Sequence, residues 1–299
     1  MSFTSDIKSE LCKIETPTCC KISECYGILL FGRAFSKNKI TLSTENEEVV
    51  ERLCHLLRQC YSVQPDILGG GTKKDYFTVS VNDAKKRDDI LTALGYFGFE
   101  KGDTLIKYQN IEDDCCKSSF LRGAFLASGN VSDPNKDYHA EFPIKNPALA
   151  NEFFELLCEM GLNPKIATRG KTTIIYFKES ENIEDLLTTI QATNHTLELA
   201  GIKVYKDMRN HYNRISNCEM ANISKTVNAA VAQNAAIEKL KSAGEYDKLS
   251  EELRFAAKLR QDNPDSTLKE LVELAGGTIT KSGLNHRLNR LVTLAKAID

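Results

Sequence analysis

Phe120-Leu121-Arg122-Gly123-Ala124-Phe125-Leu126-Ala127-Ser128-Gly129 repeats the pattern of an earlier segment, Glu24-Cys25-Tyr26-Gly27-Ile28-Leu29-Leu30-Phe31-Gly32-Arg33-Ala34. An offset of 96 residues places Gly27 on Gly123. Both segments are apolar, of helical length, and carry small residues at intervals. Glycine on a helix lets a second backbone approach closely. Gly27 and Gly123 therefore predict a close approach of two helix backbones.

The segments that follow these two helices also repeat. Each copy continues with a strand, an amphipathic helix, a two-stranded hairpin and a final helix. In the first copy we expect these elements at residues 40–42, 47–61, 63–68 with 76–81, and 84–94. In the second copy we expect them at residues 139–142, 147–160, 165–168 with 173–177, and 183–192. Glycine-containing hairpin turns are expected at residues 69–73 and 169–171. The pattern predicts an α+β domain of two units related by a pseudo-two-fold axis.

A different pattern occupies the C-terminal end. Asn263-Pro264-Asp265-Ser266-Thr267-Leu268-Lys269-Glu270-Leu271 predicts a short helix, and its Thr267 and Glu270 have capping-box spacing. Gly276-Gly277 breaks that helix, and Thr280-Lys281-Ser282-Gly283-Leu284-Asn285-His286-Arg287-Leu288-Asn289-Arg290-Leu291 predicts a second one. Each helix has an apolar stripe of helical period. Two such helices joined by a glycine turn are typical of a helix-turn-helix, although other helical bundles share the pattern.

The outward face of the second helix is polar and basic. Its candidate DNA-binding residues are Lys281, Ser282, Asn285, His286, Arg287, Asn289 and Arg290. Between residues 281 and 299, four Lys and Arg residues accompany one Asp and no Glu. Cations suit phosphate contacts, and amide and guanidinium groups are the usual readers of base edges. The face therefore predicts double-stranded DNA as the partner.

The region before these helices completes an all-α domain. We expect a long helix at residues 221–240 and another at 247–260, which gives four helices in all. The residues expected on the inward face of the long helix are Ile223, Val227, Ala230, Val231 and Ile237. Lys225, Arg254 and Arg260 are further candidate phosphate contacts. The alternative for these three is solvated surface charge.

Length and composition indicate a cytoplasmic protein of two domains, with three as the alternative. The chain has 299 residues, 41% hydrophobic and 27% charged, with a net charge of −2. Residues 210–299 nevertheless carry 13 Lys and Arg against 11 Asp and Glu. The polar start predicts no secretory signal, and no apolar run is long enough for a membrane span. We therefore expect reduced thiols and no contact with a membrane.

Ten cysteines raise the question of a metal site. Cys19-Cys20 and Cys115-Cys116 are adjacent pairs, whereas zinc sites usually space their cysteines two to four residues apart. From the spacing we expect small buried hydrophobic side chains rather than ligands. The sequence thus predicts no metal and no cofactor.

The duplicated unit resembles the fold of the LAGLIDADG homing endonucleases. In active members each motif helix ends in an acid, and the two acids hold divalent metal over the scissile phosphates. The motif places Gly32 and Ser128 at those two positions, and neither can supply a carboxylate. Glu24 and Asp133 are the nearest acids considered, and both lie away from the motif ends. We therefore predict no catalytic residues and no enzymatic activity.

The whole chain resembles the WhiA family of bacterial regulators. The segments that carry the resemblance are Cys19-Cys20, residues 120–127 with Asp133-Pro134 and Tyr138-His139, residues 217–226, and residues 268–271 with 282–288. The resemblance implies a degenerate LAGLIDADG-like domain at residues 1–205, with repeats near 20–105 and 115–200. It also implies a connector at 206–218 and a helix-turn-helix domain at 219–299.

The family implies a nucleoid-associated DNA-binding regulator that acts in transcription, cell division, chromosome segregation and, in some relatives, sporulation. One alternative is a protein-binding scaffold that docks a regulatory partner on its N-terminal domain, with DNA as a secondary contact. The few cations on the strands near residues 40–43 and 138–142 keep this alternative open. The other alternative is a metal-dependent DNA endonuclease.

Overall fold

In a computed structural model, the chain divides into two compact units, Met1–Lys206 and Asp207–Asp299. The structure describes residues 2–69, 76–97 and 104–298. The first unit is α+β and the second is helical, which confirms the predicted fold class. Among the described residues, none of the helices combines the length and the apolar character needed to cross a membrane.

The first unit contains two copies of one arrangement of helices and strands. The helices are α1 (Phe3–Leu11), α2 (Thr18–Leu30), α3 (Glu47–Tyr61), α4 (Ala84–Ala93), α5 (Asp114–Ser128), α6 (Pro147–Glu159) and α7 (Ser180–Thr189). The strands are β1 (Ala34–Phe35), β2 (Ile40–Thr44), β3 (Asp66–Leu68), β4 (Phe77–Ser80), β5 (Asn130–Val131), β6 (Ala140–Ile144), β7 (Lys165–Arg169) and β8 (Thr172–Phe177). The sequence patterns did not predict α1 or the two-residue strands β1 and β5.

The strands form two antiparallel sheets of the same topology. The strand orders are β1-β2-β4-β3 and β5-β6-β8-β7. In the first sheet Leu42 pairs with Val79, and in the second Phe142 pairs with Ile175. These pairs point into one shared hydrophobic core. The repeat inferred from the sequence is therefore present in the structure, although residues 70–73 of its first predicted turn lie outside the described residues.

Local sequence explains where α3 begins and where the second hairpin turns. The α3 helix has the predicted bounds because Asn46 Oδ1 accepts from the Val49 N–H at 3.2 Å, and acids fill the first turn. In the second hairpin, Gly170 has a φ of +62°, a conformation that glycine adopts without steric cost.

The two repeats meet where α2 and α5 cross at their glycines. A Cβ added to Gly27 would lie 2.2 Å from the Phe120 carbonyl oxygen, and one added to Gly123 would lie 2.1 Å from the Glu24 carbonyl oxygen. No side chain larger than hydrogen fits at that separation. The prediction that glycine permits close packing of these helices is confirmed by the structure.

A buried group of three ionised side chains also joins the repeats. The Glu24 carboxylate accepts from Arg52 Nε at 2.7 Å and from Arg122 Nε at 3.0 Å. Arg122 is fully buried and donates as well to Gln191 Oε1 and to Ser119 Oγ, both at 3.0 Å. The buried charges are thus paired and hydrogen-bonded, which is the condition for tolerating them in a core.

Four α-helices form the described part of the second unit. They are the C-terminal part of α8 (Thr193–Ser242), α9 (Glu251–Asp262), α10 (Leu268–Leu274) and α11 (Lys281–Lys296). Their core contains residues of all four, including Ile237, Ala257, Leu271 and Leu288. Residues 206–218, which we expected to connect the two domains, lie within α8 rather than in a separate segment.

The predicted inward face of α8 is only partly buried. Ala230 and Ile237 are buried as expected, but Ile223, Val227 and Val231 are each more than half exposed. The prediction was wrong for these three residues, because a helical period shows which residues share a face and not what covers that face.

Substitution of Gly27 by alanine should destabilise the first unit by about 1–3 kcal/mol, because the new methyl group would force the α2 and α5 backbones apart. The measurement is urea denaturation followed by far-UV circular dichroism. Gly201→Ala is the matched control, since its Cβ would meet open space on α8. That variant should be unchanged or slightly more stable. Equal effects of the two substitutions would contradict the close helix contact.

Glu24→Gln should lower the free energy of unfolding by about 3–5 kcal/mol, because it leaves the buried guanidinium of Arg122 without a countercharge. The control is Lys165→Gln, which removes one partner of the exposed pair between Lys165 and Glu179. Exposed pairs contribute little, so the control should unfold at nearly the same urea concentration as the parent. A parent-like midpoint for Glu24→Gln would show that the triad does not hold the repeats together.

Candidate nucleic-acid interface

The helix-turn-helix region is built by local hydrogen bonds that its sequence specifies. The Glu270 N–H donates to Thr267 Oγ1 at 3.3 Å, and the Thr267 N–H donates to Glu270 Oε2 at 2.6 Å, forming the predicted capping box. Gly276 and Gly277 have φ values of +64° and +72° in the turn. Thr280 then caps α11 by accepting from the Gly283 N–H at 3.1 Å. The turn and both caps fix where α11 starts.

One face of α11 is buried and the opposite face is exposed. Leu284, Leu288, Leu291 and Ala295 pack into the core of the second unit. The exposed predicted contacts are Lys281, Ser282, Asn285, His286, Asn289 and Arg290. The structure therefore brings six of the seven α11 candidates together on one solvent-facing surface, which we call the outer face of α11.

The chemistry of the outer face suits a nucleic-acid duplex. Asn and Arg side chains can form bidentate hydrogen bonds with adenine and guanine in the major groove. Lys281 and Ser282 lie in the first turn, where backbone N–H groups and the helix dipole favour a phosphate. In helix-turn-helix proteins the N-terminal residues of the second helix enter the groove. The outer face thus combines side chains that can bind the phosphates of DNA with side chains that can hydrogen-bond to base edges.

Arg287 lies at the edge of the outer face and is bound within its own unit. Its Nη2 forms an ion pair with Glu252 Oε2 of α9 at 2.9 Å, and the Arg287 side chain is 28% exposed. A contact between Arg287 and DNA would require this ion pair to open. Sequence periodicity could not predict the ion pair between Arg287 and Glu252, because Glu252 lies 35 residues earlier on a different helix.

Arg260 is a structural residue and not a phosphate contact, which corrects the sequence-based expectation. It is 2% exposed, and its Nη1 donates to the carbonyl oxygens of Asn263, Pro264 and Ser266. Burial also lowers the pKa of the guanidinium below its ordinary value. The residue holds the loop between α9 and α10 and thereby positions the helix-turn-helix. By contrast, Lys225 and Arg254 are exposed.

The two positions that the motif assignment gives to acids lie at the C-terminal ends of α2 and α5. Gly32 follows the end of α2, and Ser128 is the last residue of α5, with its hydroxyl donating to the Ala124 carbonyl at 3.3 Å. Both residues line a cleft of about 740 Å³. Arg33 and Lys145 also line it, and no Asp or Glu is among its described lining residues. This cleft offers cations where the chemistry would need carboxylate ligands.

Glu24 and Asp133, the two acids considered from the sequence, form contacts away from this cleft. Glu24 is buried between Arg52 and Arg122. Asp133 lies in an exposed turn, where the backbone and side-chain amides of Asn135 hydrogen-bond to its carboxylate and lower its pKa. Neither carboxylate lines the cleft at Gly32 and Ser128.

Comparison with known proteins matches both units. The family model described as the WhiA C-terminal HTH domain covers residues 212–295, and the WhiA LAGLIDADG-like domain covers residues 117–209. The crystal structure of full-length DUF199/WhiA from Thermatoga maritima shares the fold, with a TM-score of 0.61 at 24% identity. That likeness covers 100% of this chain and 99% of the other. The duplicated unit is therefore LAGLIDADG-like.

Sequence relatives extend over the whole chain. A probable cell division protein WhiA from Ruminiclostridium cellulolyticum is 37% identical, covering 100% of this chain and 98% of its own length. Another from Alkaliphilus metalliredigens is 34% identical, covering 99% of this chain and 98% of its own length. Identity at this level over the full length, together with the two matching domains, shows that the chain belongs to the WhiA family.

Proposed function

We propose that this protein is a non-catalytic, sequence-specific DNA-binding regulator. The observation that carries the proposal is the outer face of α11, where amide, imidazole and cationic side chains are exposed together. Their backbone is fixed by the Thr280 cap and by the leucines beneath. A rigid helix that presents such groups is suited to insertion into a major groove.

The distribution of charge supports DNA over a merely solvated helix. Residues 281–296 contain no acidic residue, and besides Arg287, which pairs with Glu252, they carry Lys281, Arg290 and Lys296. A solvated helix face usually mixes Glu with Lys, because such pairs stabilise the helix. Unmixed positive charge is expected where phosphates supply the countercharge. The overall charge of −2 therefore does not oppose DNA binding, since binding depends on the local face.

The cellular role is proposed from the relatives. The similar proteins carry the name probable cell division protein WhiA. For this chain we propose a role in transcription control linked to cell division and chromosome segregation. DNA binding would place the protein at the nucleoid in the cytoplasm.

A docking site for a regulatory protein on the first unit is the second candidate function. Apolar side chains are exposed on the strands β3 and β7, namely Ile67, Leu68 and Ile166. Strands with exposed apolar residues are typical sites of protein association. This function is compatible with DNA binding by the second unit, because it uses different residues.

Arg290→Ala in the full-length protein should weaken binding to a selected duplex by about 1–3 kcal/mol and relax preference at one base position, since it removes a base-reading group. Lys281→Ala should weaken binding to selected and random duplexes alike. It should also reduce the slope of log affinity against log salt concentration by about 1, the share of one phosphate contact. Binding is measured by fluorescence anisotropy over a salt series, after selection of the preferred sequence from a random pool.

Arg169→Ala is the matched control, because it removes an exposed cation from β7 of the first unit. It should leave the affinity unchanged on both duplexes. If Arg169→Ala weakens binding more than Arg290→Ala, DNA recognition lies in the first unit. If Arg290→Ala lowers affinity equally on selected and random duplexes, the outer face of α11 does not read sequence.

Purified protein incubated with supercoiled plasmid and Mg²⁺ or Mn²⁺ should leave the plasmid intact. Two-metal hydrolysis needs carboxylates at the helix ends, and Gly32 and Ser128 supply none. The assay follows conversion to nicked and linear forms on agarose gels. Nicking that co-purifies with the protein and is lost in Asp133→Asn would contradict the non-catalytic assignment.

A further inference from the structure

Four cysteines meet where the N-terminal ends of α2 and α5 come together. Cys19 and Cys20 are in the first turn of α2, and Cys115 and Cys116 are in the first turn of α5. Their Sγ atoms all lie within 4.8 Å of one another. The Sγ atoms of Cys19 and Cys20 are 3.9 Å apart. None of these cysteines is in a disulfide bond.

The duplication brings the two cysteine pairs together. The offset of 96 residues that relates Gly27 to Gly123 also relates Cys19-Cys20 to Cys115-Cys116. The C-terminal ends of α2 and α5 share one cleft and their N-terminal ends share the cysteines, so the helices run in the same direction. The sequence-based expectation considered each pair alone, and adjacent cysteines alone are poor zinc ligands.

We propose that these four cysteines form a structural site for a single zinc ion. A Zn–S bond of about 2.3 Å gives a tetrahedron whose sulfurs are roughly 3.8 Å apart. The observed sulfur separations approach this value. Four thiolates with no open position are typical of structural zinc and leave no room for a reacting ligand.

The surroundings of the cluster suit the net negative charge of a zinc ion held by four thiolates. The N-cap residues of α2 and α5 are Pro17 and Asp113, and neither side chain makes a capping hydrogen bond. Uncapped N–H groups and the positive ends of two helix dipoles favour a negatively charged four-thiolate complex beside them. A lysine, Lys21 or Lys117, directly follows each pair and adds positive charge.

The site combines an entry path with a supporting hydrogen bond. Cys19 and Cys115 are exposed, whereas Cys20 and Cys116 are buried, so an ion can enter from solvent and be held from beneath. Ser119 Oγ, which lies beside the Cys20 thiol, accepts from Arg122 Nη2 at 3.0 Å and is thereby held in place. Such second contacts orient metal ligands. A bound ion would therefore tie the two repeats at the end of the helix pair.

The test uses full-length protein purified under reducing conditions without chelator. Elemental analysis should find about one zinc per chain, the stoichiometry of a single four-thiolate site. After zinc removal, Co²⁺ should produce the visible absorption of a tetrahedral thiolate complex, and zinc should abolish it. Zinc should also raise the Tm of the metal-free protein, because it binds the folded state.

Cys115→Ser, with its exposed side chain, should lose the zinc and the cobalt spectrum but keep the Tm of metal-free parent protein. Cys158→Ser is the matched control, an exposed cysteine of the same unit outside the cluster, and it should keep both signals. The proposal would be overturned if the protein held no metal and gave no cobalt spectrum while the four cluster cysteines were reduced and reactive. Loss of metal in Cys158→Ser, bound iron instead of zinc, or a disulfide within the cluster under reducing purification would also overturn it.

Discussion

The contact between the backbones of α2 and α5 is the constraint on which the first unit depends. Gly27 and Gly123 let each helix reach the carbonyl oxygens of the other, and any side chain there would collide with main-chain atoms. Since each helix begins one repeat, their separation sets how both sheets share a single core. It also decides which residues meet at the two ends of the pair. Close packing of this kind leaves little freedom to adjust.

Small residues at the C-terminal ends of α2 and α5 leave this scaffold intact, because those positions are not part of the helix contact. Gly32 and Ser128 lie at the cleft, beyond the glycine contact. The acid that the structure does depend on is Glu24, whose carboxylate is buried between Arg52 and Arg122. Removing a surface acid changes chemistry, whereas removing a buried paired one leaves uncompensated charge. The stability of the helix pair therefore does not depend on carboxylates at the cleft.

Much of the fold could be predicted from the sequence, because hydrophobic period, caps and turn glycines act locally. The bounds of α3 and the capping box of α10 follow from such signals. The role of Arg260 could not be predicted, since it depends on loop carbonyls that converge only after folding. The exposure of Val227 depends on what lies across from α8. The cysteine cluster brings together two pairs that lie 96 positions apart. The spacing within each pair could not predict it, because the cluster forms only when α2 and α5 pack together.

The two ends of the pair formed by α2 and α5 differ in chemistry and share no residue. The C-terminal end presents Arg33 and Lys145 around a cleft, and the N-terminal end presents thiols. An ion held at the thiol end would restrain α2 and α5 without any ligand at the cleft. Such an ion would stabilise the contact between α2 and α5 whatever occupies the cleft, because it acts on the helix pair itself.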